Sequence, residues 1–204
     1  HYAVNDPFHG GTHLNDLTIV RPVFVGGELA AWVGNRAHHA DVGGEAPGSM
    51  PAHATTIDQE GIVVAPMRAA LDEEWDDEFL RPFLAATRTP AERLGDLSAQ
   101  LGANEVGARR IEETIAREGL DRFRRASVAL LSYGERRMEA AIGDLPDGVY
   151  SFEDFMEHGN ALLPIRVTIT VSGGLLVADF SETCDQVAAN FNAVEAVTAS
   201  CVYF

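Results

Sequence analysis

The sequence predicts an α+β fold, with two β-hairpins on either side of a central helical segment. Three observations carry this. Apolar, β-branched runs broken by glycine pairs lie at residues 17–35 and 165–180. Between them, a stretch rich in arginine and acidic residues repeats its apolar positions at helical spacing. The strands are grouped toward the two ends instead of alternating with helices, which is the pattern of an α+β chain.

Each element follows from local chemistry. Residues 17–25 are apolar and β-branched and read as a strand. Gly26 and Gly27 supply a turn, and residues 28–35 read as the returning strand. Pro22 within the first strand calls for an edge position or a bulge. Residues 41–56, with Gly43, Gly44, Pro47, Gly48 and Pro51, read as loop, and 61–66 as a short strand. Residues 75–87 form a short amphipathic helix. Pro90 opens the next helix, which runs to 118 and ends at Gly119. Asp121 caps a third helix to about 142. Residues 148–152 read as a short strand. Residues 165–171 and 175–180 flank Ser172, Gly173 and Gly174 as a second hairpin, and Asn190 to Asn192 open a terminal helix. Three regions result: a hairpin region over 1–66, a helical region over 72–142, and the second hairpin with the last helix over 147–204.

Composition narrows the function. With 46% hydrophobic and 23% charged residues in 204, the chain can build a real core. A net charge of −16 argues against nucleic acid or an anionic membrane as partner, since both require a basic surface. All 15 basic residues are arginine. Without lysine there is no Schiff-base chemistry and no phosphate-loop lysine, so ATP, if used, is bound elsewhere. Cys184 and Cys201 form no close pair of the metal or redox type and read as reduced thiols in a cytoplasmic protein. No apolar run approaches the roughly 20 residues of a membrane span. The chain begins at His1 inside a site-like motif and ends in the apolar run AVEAVTASCVYF, so it is expected to be a fragment of a longer, mixed α/β subunit.

The chemistry concentrates in NDPFHGGTHLND (5–16) and RAHHADVGGEAPGSMP (36–51). These and the residues just beyond hold His9, His13, His38, His39 and His53, five of the seven histidines, interleaved with Asp6, Asp16 and Asp41. Imidazole with carboxylate suits zinc, manganese or iron. His13 and Asp16 are three residues apart and can point the same way on a bend. If Gly26 and Gly27 form a two-residue turn, Val25 faces Glu28, and the hairpin carries the second histidine cluster back to Asp16. Strict alternation then puts His39 on the face of Asp16, whereas a bulge puts His38 there. Geometry alone leaves both open.

These stretches resemble a known family. NDPFHGGTHLNDLTIVRPVF, GNRAHHADVGGEAPGSMP and IDQEGIVVAP are similar to the B-type subunit of the hydantoinase/5-oxoprolinase family. So are RTPAERLGDLSAQLGANEVGARR and ADFSETCDQVAANFNAVEAVTASCVYF, so that the resemblance covers nearly the whole chain. The family includes N-methylhydantoinase, part of 5-oxoprolinase, caprolactamase and the catalytic subunits of ketone carboxylases. In its metal-bearing members the ligands are a histidine, an aspartate three residues on, and a histidine after the hairpin. The resemblance therefore implies His13, Asp16 and His38 as metal ligands, with a further carboxylate from sequence preceding this chain. The family often has proline where this chain has Asn15.

The remaining candidates have weaker signals. His39 reads as a catalytic residue that orients a ligand or contacts substrate, or as a hydrogen-bonded core histidine. Asp41 reads as a catalytic partner accepting from a histidine ring, or as a turn aspartate before Gly43. Asp6, Asn104 and Asn192 are substrate-binding candidates. Asp6 also reads as a turn residue before Pro7, and Asn192, with Asn190, as a cap of the last helix. On the second helix, Leu94, Leu97, Leu101, Ala108, Ile111 and Ile115 form an apolar stripe that includes Asn104. Gln100 and Asp96 step off its edge, so these three polar residues line a pocket or tie the helix to a neighbour. His9 and His53 read as loop surface.

The resemblance implies an ATP-dependent hydrolase of cyclic amides: hydantoins, 5-oxoproline or lactams. An A-type partner of actin-like ATPase fold would bind ATP, and this B-type chain would hold the divalent metal. ATP-dependent carboxylation of a ketone, or a non-catalytic role supporting the A-type chain, are the alternatives. The 204-residue chain by itself is expected to be inactive.

Overall fold

The computed structural model describes residues 1–71 and 74–204; residues 72 and 73, where the predicted helical region begins, lie outside the described residues. The chain forms two compact units, His1–Leu120 with Ala188–Phe204, and Asp121–Val187.

The first unit is built on a four-stranded antiparallel sheet. Its strands are β1 (Tyr2–Val4), β2 (Asp16–Val25), β3 (Glu28–His38) and β4 (Met67–Arg68), in the order β3-β2-β1-β4. Gly26 and Gly27 both have positive φ, 60° and 84°, the turn that matches strand twist in a two-residue hairpin. Leu17, Ile19 and Val23 alternate along β2 toward the core. A single turn, α1 (Ile57–Glu60), follows the long loop after β3. The predicted strand at 61–66 is not one. Val64 exchanges its backbone bonds with Asn5, whose side chain accepts from the Val64 N–H at 2.6 Å and whose N–H donates back to the Val64 carbonyl at 3.0 Å. A side-chain amide thus replaces a ladder partner, and Pro66 has no N–H to extend one.

A small pair, β5 (Ala70–Leu71) and β6 (Glu74–Trp75), precedes α2 (Asp77–Ala86) and α3 (Pro90–Glu118). Trp75 lies in β6 and not in the helix. Asp76 supplies the cap by accepting from the Glu78 N–H. The bounds of α3 are those expected from Pro90 at its start and Gly119 beyond its end. It lies across β2 and β3 so closely that a β-carbon on Gly107 would stand 2.7 Å from Val33 Cγ1. Phe79 and Phe83 of α2 join Leu97 and Leu101 of α3 over Leu14, Leu17, Ile19 and Val42 to close the core. The terminal helix α5 (Glu195–Tyr203) begins three residues later than expected. Asn190 does not cap it; its amide donates to the Pro51 carbonyl at 2.9 Å.

The second unit consists of α4 (Leu120–Gly143), whose first residue belongs to the first unit, and a three-stranded antiparallel sheet, β7 (Gly148–His158), β8 (Ala161–Ser172) and β9 (Leu175–Asp179). Asp121 lies in the first turn of α4 and not at its cap. The expected second hairpin is β8–β9. Its sheet also contains a longer hairpin, β7–β8, turning at Gly159. No helix among the described residues is long and apolar enough to cross a membrane, and both cysteines are free.

Candidate metal centre and its cleft

The start of β2 and the end of β3 carry the centre. Val25 pairs with Glu28 and Phe24 with Leu29, and the register then shifts by one residue at Val23/Phe24, so that Val23 faces Ala31. Ala30 is the extra residue. From there the pairing runs unbroken to Asp16 opposite His38. The bulge, one residue from Pro22, turns His38 onto the face of Asp16 and sends His39 to the other.

His13 comes in from the loop before β2. Its Nε2 lies 3.0 Å from one Asp16 oxygen, and His38 Nδ1 lies 3.1 Å from the other. The two imidazoles are 5.1 Å apart between centroids. One donor atom from each of the three residues lies within 4.8 Å of the other two. Donors around one tetrahedral zinc, with bonds of about 2.1 Å, stand about 3.4 Å apart. Two imidazoles and a carboxylate at this spacing fit such an ion with little movement. The face is accessible, with the His38 side chain 58% exposed and that of His13 37%.

Burial pushes the Asp16 carboxyl up, but hydrogen bonds from Thr12 and His38 and the charges of His13 and His38 together hold it below its ordinary value. Thr12 Oγ1 donates to Asp16 Oδ2 at 2.9 Å and orients the carboxylate. Glu60, at the end of α1, behaves oppositely: burial raises its carboxyl, and the charge of His13 only partly offsets this. Thr12 and Glu60 were not singled out from the sequence. Neither lies in a motif with metal-ligand spacing, although Thr12 sits within GGTHLND.

Beside the centre lies a cleft of about 780 Å³. Thr12, His13 and Asp16 form one side, and Phe191 to Val194 with one face of α5 form the other. Asn192 is in this wall, its amide donating to the Ala189 carbonyl at 2.8 Å.

The other candidates stand elsewhere. His39 is buried against Phe83, ring centroids 5.6 Å apart, with Nε2 2.9 Å from Gln100 Oε1. The Gln100 amide already donates to Leu17 O and Asn35 Oδ1, so its oxygen accepts and His39 carries its proton on Nε2. Nδ1 is then a buried acceptor without a hydrogen-bond partner. Burial lowers the His39 pKa, which keeps the ring neutral. Asp41 serves as a clamp. It accepts from the Arg88 N–H at 2.6 Å, the Arg88 guanidinium at 2.7 Å, and Gly43 and Ser49, and it makes no bond to a histidine. Burial pushes this carboxyl up, and those hydrogen bonds with the Arg88 charge bring it below its usual range. Asn104 is under the sheet and outside the cleft. Its amide donates to Ile19 O at 2.9 Å and its oxygen accepts from Asn35. Gln100 and Asn104 thus tie α3 to the hairpin. Asp6 holds a turn by accepting from the Phe8 N–H and pairing with His9 at 2.7 Å. Its carboxyl is lowered first by the Phe8 bond and then by His9.

One buried residue was missed altogether. The Asn5 amide donates to Leu14 O and Ile62 O, and with the Val64 bond it fastens the His13 loop to the segment after α1. A lone asparagine beside an Asp-Pro turn gives no sequence signal of this.

A family model described as Hydantoinase B/oxoprolinase matches residues 1–204. An uncharacterised protein of Methanocaldococcus jannaschii is 33% identical over 201 residues, which are 98% of this chain and 36% of that protein. The caprolactamase subunit beta of Pseudomonas jessenii is 33% identical over 172 residues, 83% of this chain and 30% of the relative. The crystal structure of the ATP-dependent caprolactamase from that organism superposes with a TM-score of 0.93 at 30% identity, over 99% of this chain and 35% of the other. The chain therefore spans about a third of the length of these relatives.

Proposed function

The chain belongs to the hydantoinase B/oxoprolinase family, and from that premise we propose that it forms part of the B-type subunit of an ATP-dependent hydrolase of cyclic amides, with His13, Asp16 and His38 holding a divalent metal. The observation that carries the metal assignment is the convergence of those three side chains from a loop and two paired strands. Two imidazoles and a carboxylate suit zinc, manganese or iron. When bound, the metal supplies a Lewis acid that polarises a carbonyl or lowers the pKa of a water.

The chain's own residues set the stage for that chemistry. The Asp16 carboxylate stands between the two imidazoles, and Thr12 fixes its rotation. Residues of 191–204 line the other side of the cleft. This chain has no lysine and no glycine-rich loop ending in Lys-Ser or Lys-Thr, and we assign ATP to an A-type partner. The relative's name, caprolactamase subunit beta, supports such a division of labour.

The full-length protein with its A-type partner tests this. We expect ATP-dependent hydrolysis of a hydantoin or lactam and close to one divalent metal per B-type chain. His13→Ala is expected to abolish metal binding and turnover while the circular dichroism spectrum and unfolding midpoint stay as in the parent, because the side chain is partly exposed and outside the core. Full turnover without His13, or without metal, would refute the assignment.

A further inference from the structure

We propose that Arg36 is a positioning residue: it pins the loop that delivers His13, and so sets how tightly His13, Asp16 and His38 hold a divalent ion. This rests on the metal role proposed above for those three residues. Arg36 pairs with Thr18 across the β2–β3 ladder, two residues along from the pair of Asp16 and His38. Side chains two apart on a strand share a face, so the bulge that turns His38 toward Asp16 turns Arg36 the same way. Arg36 is exposed there and is no part of the core. Its guanidinium is held in two directions. Nε donates to Thr18 Oγ1 at 2.7 Å, and Nη2 donates to the Gly10 carbonyl at 2.8 Å. The first bond fixes the side chain on the sheet. The second carries that fixity to the loop, three residues before His13.

The loop is fastened unevenly. On its inner side the Asp6 N–H donates to the Val64 carbonyl at 3.2 Å, and a β-carbon on Gly11 would stand 2.3 Å from the Asn5 carbonyl oxygen. On its outer side Phe8 is 78% exposed, and the N–H groups of Phe8, His9 and Gly11 all turn back to Asp6. Among the described residues, Arg36 is the one that bonds the turn at 8–10 to the sheet. Without that tie the loop gains freedom, and ordering His13 against Asp16 would draw on the binding energy of the metal. Charge alone predicts the opposite sign. A guanidinium beside a divalent cation repels it, so loss of the charge by itself would tighten metal binding.

The test measures zinc affinity of the full-length protein with its A-type partner, by competition with a chelator, in the parent, Arg36→Ala and Arg36→Lys. Unfolding midpoints are followed alongside. Arg36→Ala is expected to bind zinc about tenfold more weakly at an unchanged midpoint, as for other groups that orient a ligand. Arg36→Lys keeps the charge but lacks the planar fork that reaches Thr18 and Gly10 from separate nitrogens, and is expected to lose about threefold. In the metal-free protein, Arg36→Ala should speed amide exchange at His9 and Gly11 about fivefold. Unchanged or tighter zinc binding in Arg36→Ala, or parent affinity in Arg36→Lys, would overturn the inference. So would a lowered unfolding midpoint in both variants, which would make Arg36 a stabilising residue of the fold. If the parent binds no zinc but exchange at His9 and Gly11 quickens in Arg36→Ala, the metal assignment fails and the pinning of the loop stands. If the parent and Arg36→Ala bind zinc alike, the pinning alone fails.

Discussion

In the unit formed by His1–Leu120 and Ala188–Phe204, β2 alternates buried and accessible residues, and Phe79, Phe83, Leu97 and Leu101 close over it. In Asp121–Val187, the paired strands β7 and β8 are longer, yet Val171 is the one buried hydrophobic residue among those described, and Phe152 is 68% exposed. Both units contain well-paired antiparallel hairpins. Among the described residues, the buried hydrophobic cluster belongs to the first unit. Hydrogen-bonded pairing can therefore shape a sheet in either unit, but the side chains of the candidate metal centre sit where helices pack behind the sheet. A site that must hold three donors within a few tenths of an ångström needs supports whose own rotamers are locked. The Gln100 and Asn104 contacts behind the hairpin provide such support, and Phe83 packs directly on His39.

The sharpest way to break this comparison is Phe83→Ala. Phe83 is fully buried, and its truncation is expected to cost about 3–5 kcal/mol in urea unfolding of the first unit. The loss of His39 packing should weaken metal binding as well. A cost below about 1 kcal/mol would mean that the core is not what holds the site.

Asp41→Ala tests the clamp between the loop after β3 and the junction of α2 and α3. It leaves the Arg88 and Gly43 N–H groups short of a partner, while the Ser49 hydroxyl keeps its bond to the Gly43 carbonyl; the change is expected to cost about 2 kcal/mol, discounted because Arg88 is partly exposed. If stability is unchanged and turnover is lost, Asp41 acts in the chemistry instead.

Acidification should separate the units further. His39 has a lowered pKa in the fold, so its contribution is present above the unfolded value of about 6.5 and is lost as pH falls through the folded value. Asp41 is also lowered, so its contribution is present above about 3.9 and is lost below that. The first unit should thus weaken in two stages. In the second unit Asp179, lowered first by the Ser181 backbone bond, acts only in the lower range. Unfolding midpoints followed from pH 8 to pH 3 by a probe in each unit would check this; a loss between pH 7 and 5 confined to the second unit would contradict it.

The smallest expected effect is at Phe152. On an exposed strand face, Phe152→Ala should change stability by no more than about 0.5 kcal/mol. A loss comparable to that of Phe83→Ala would show that the second unit is held by a core after all.

Much of this comparison could be read from the sequence where the signals are local. Pro90 and Gly119 bound α3, and the pair Gly26 and Gly27 locates the first hairpin turn, because a fixed φ or a positive φ is a property of the residue itself. The β7–β8 hairpin was missed because Glu153, Asp154 and Glu157 depress strand propensity, and cross-strand pairing, such as Glu153 with Arg166, overrides it. The start of α5 was misplaced because asparagine serves a cap and a long-range tie equally well, and Asn190 makes the tie to Pro51.

The sequence by itself determined the donor types: two imidazoles and a carboxylate within reach of one hairpin, in a chain without lysine. Hairpin geometry read from the sequence left open which histidine meets Asp16, although the family resemblance implied His38. Only the tertiary structure shows the register that brings it there and what the others do. The register at the open end of the hairpin depends on a single extra residue, Ala30, and one step exchanges the two faces for every residue beyond it. The roles of His39, Asp41 and Asn104 likewise depend on Gln100, Arg88 and Ile19, partners 47 to 85 residues away in the chain. Spacing does not encode such contacts, because packing assembles them only when α3 closes over the sheet.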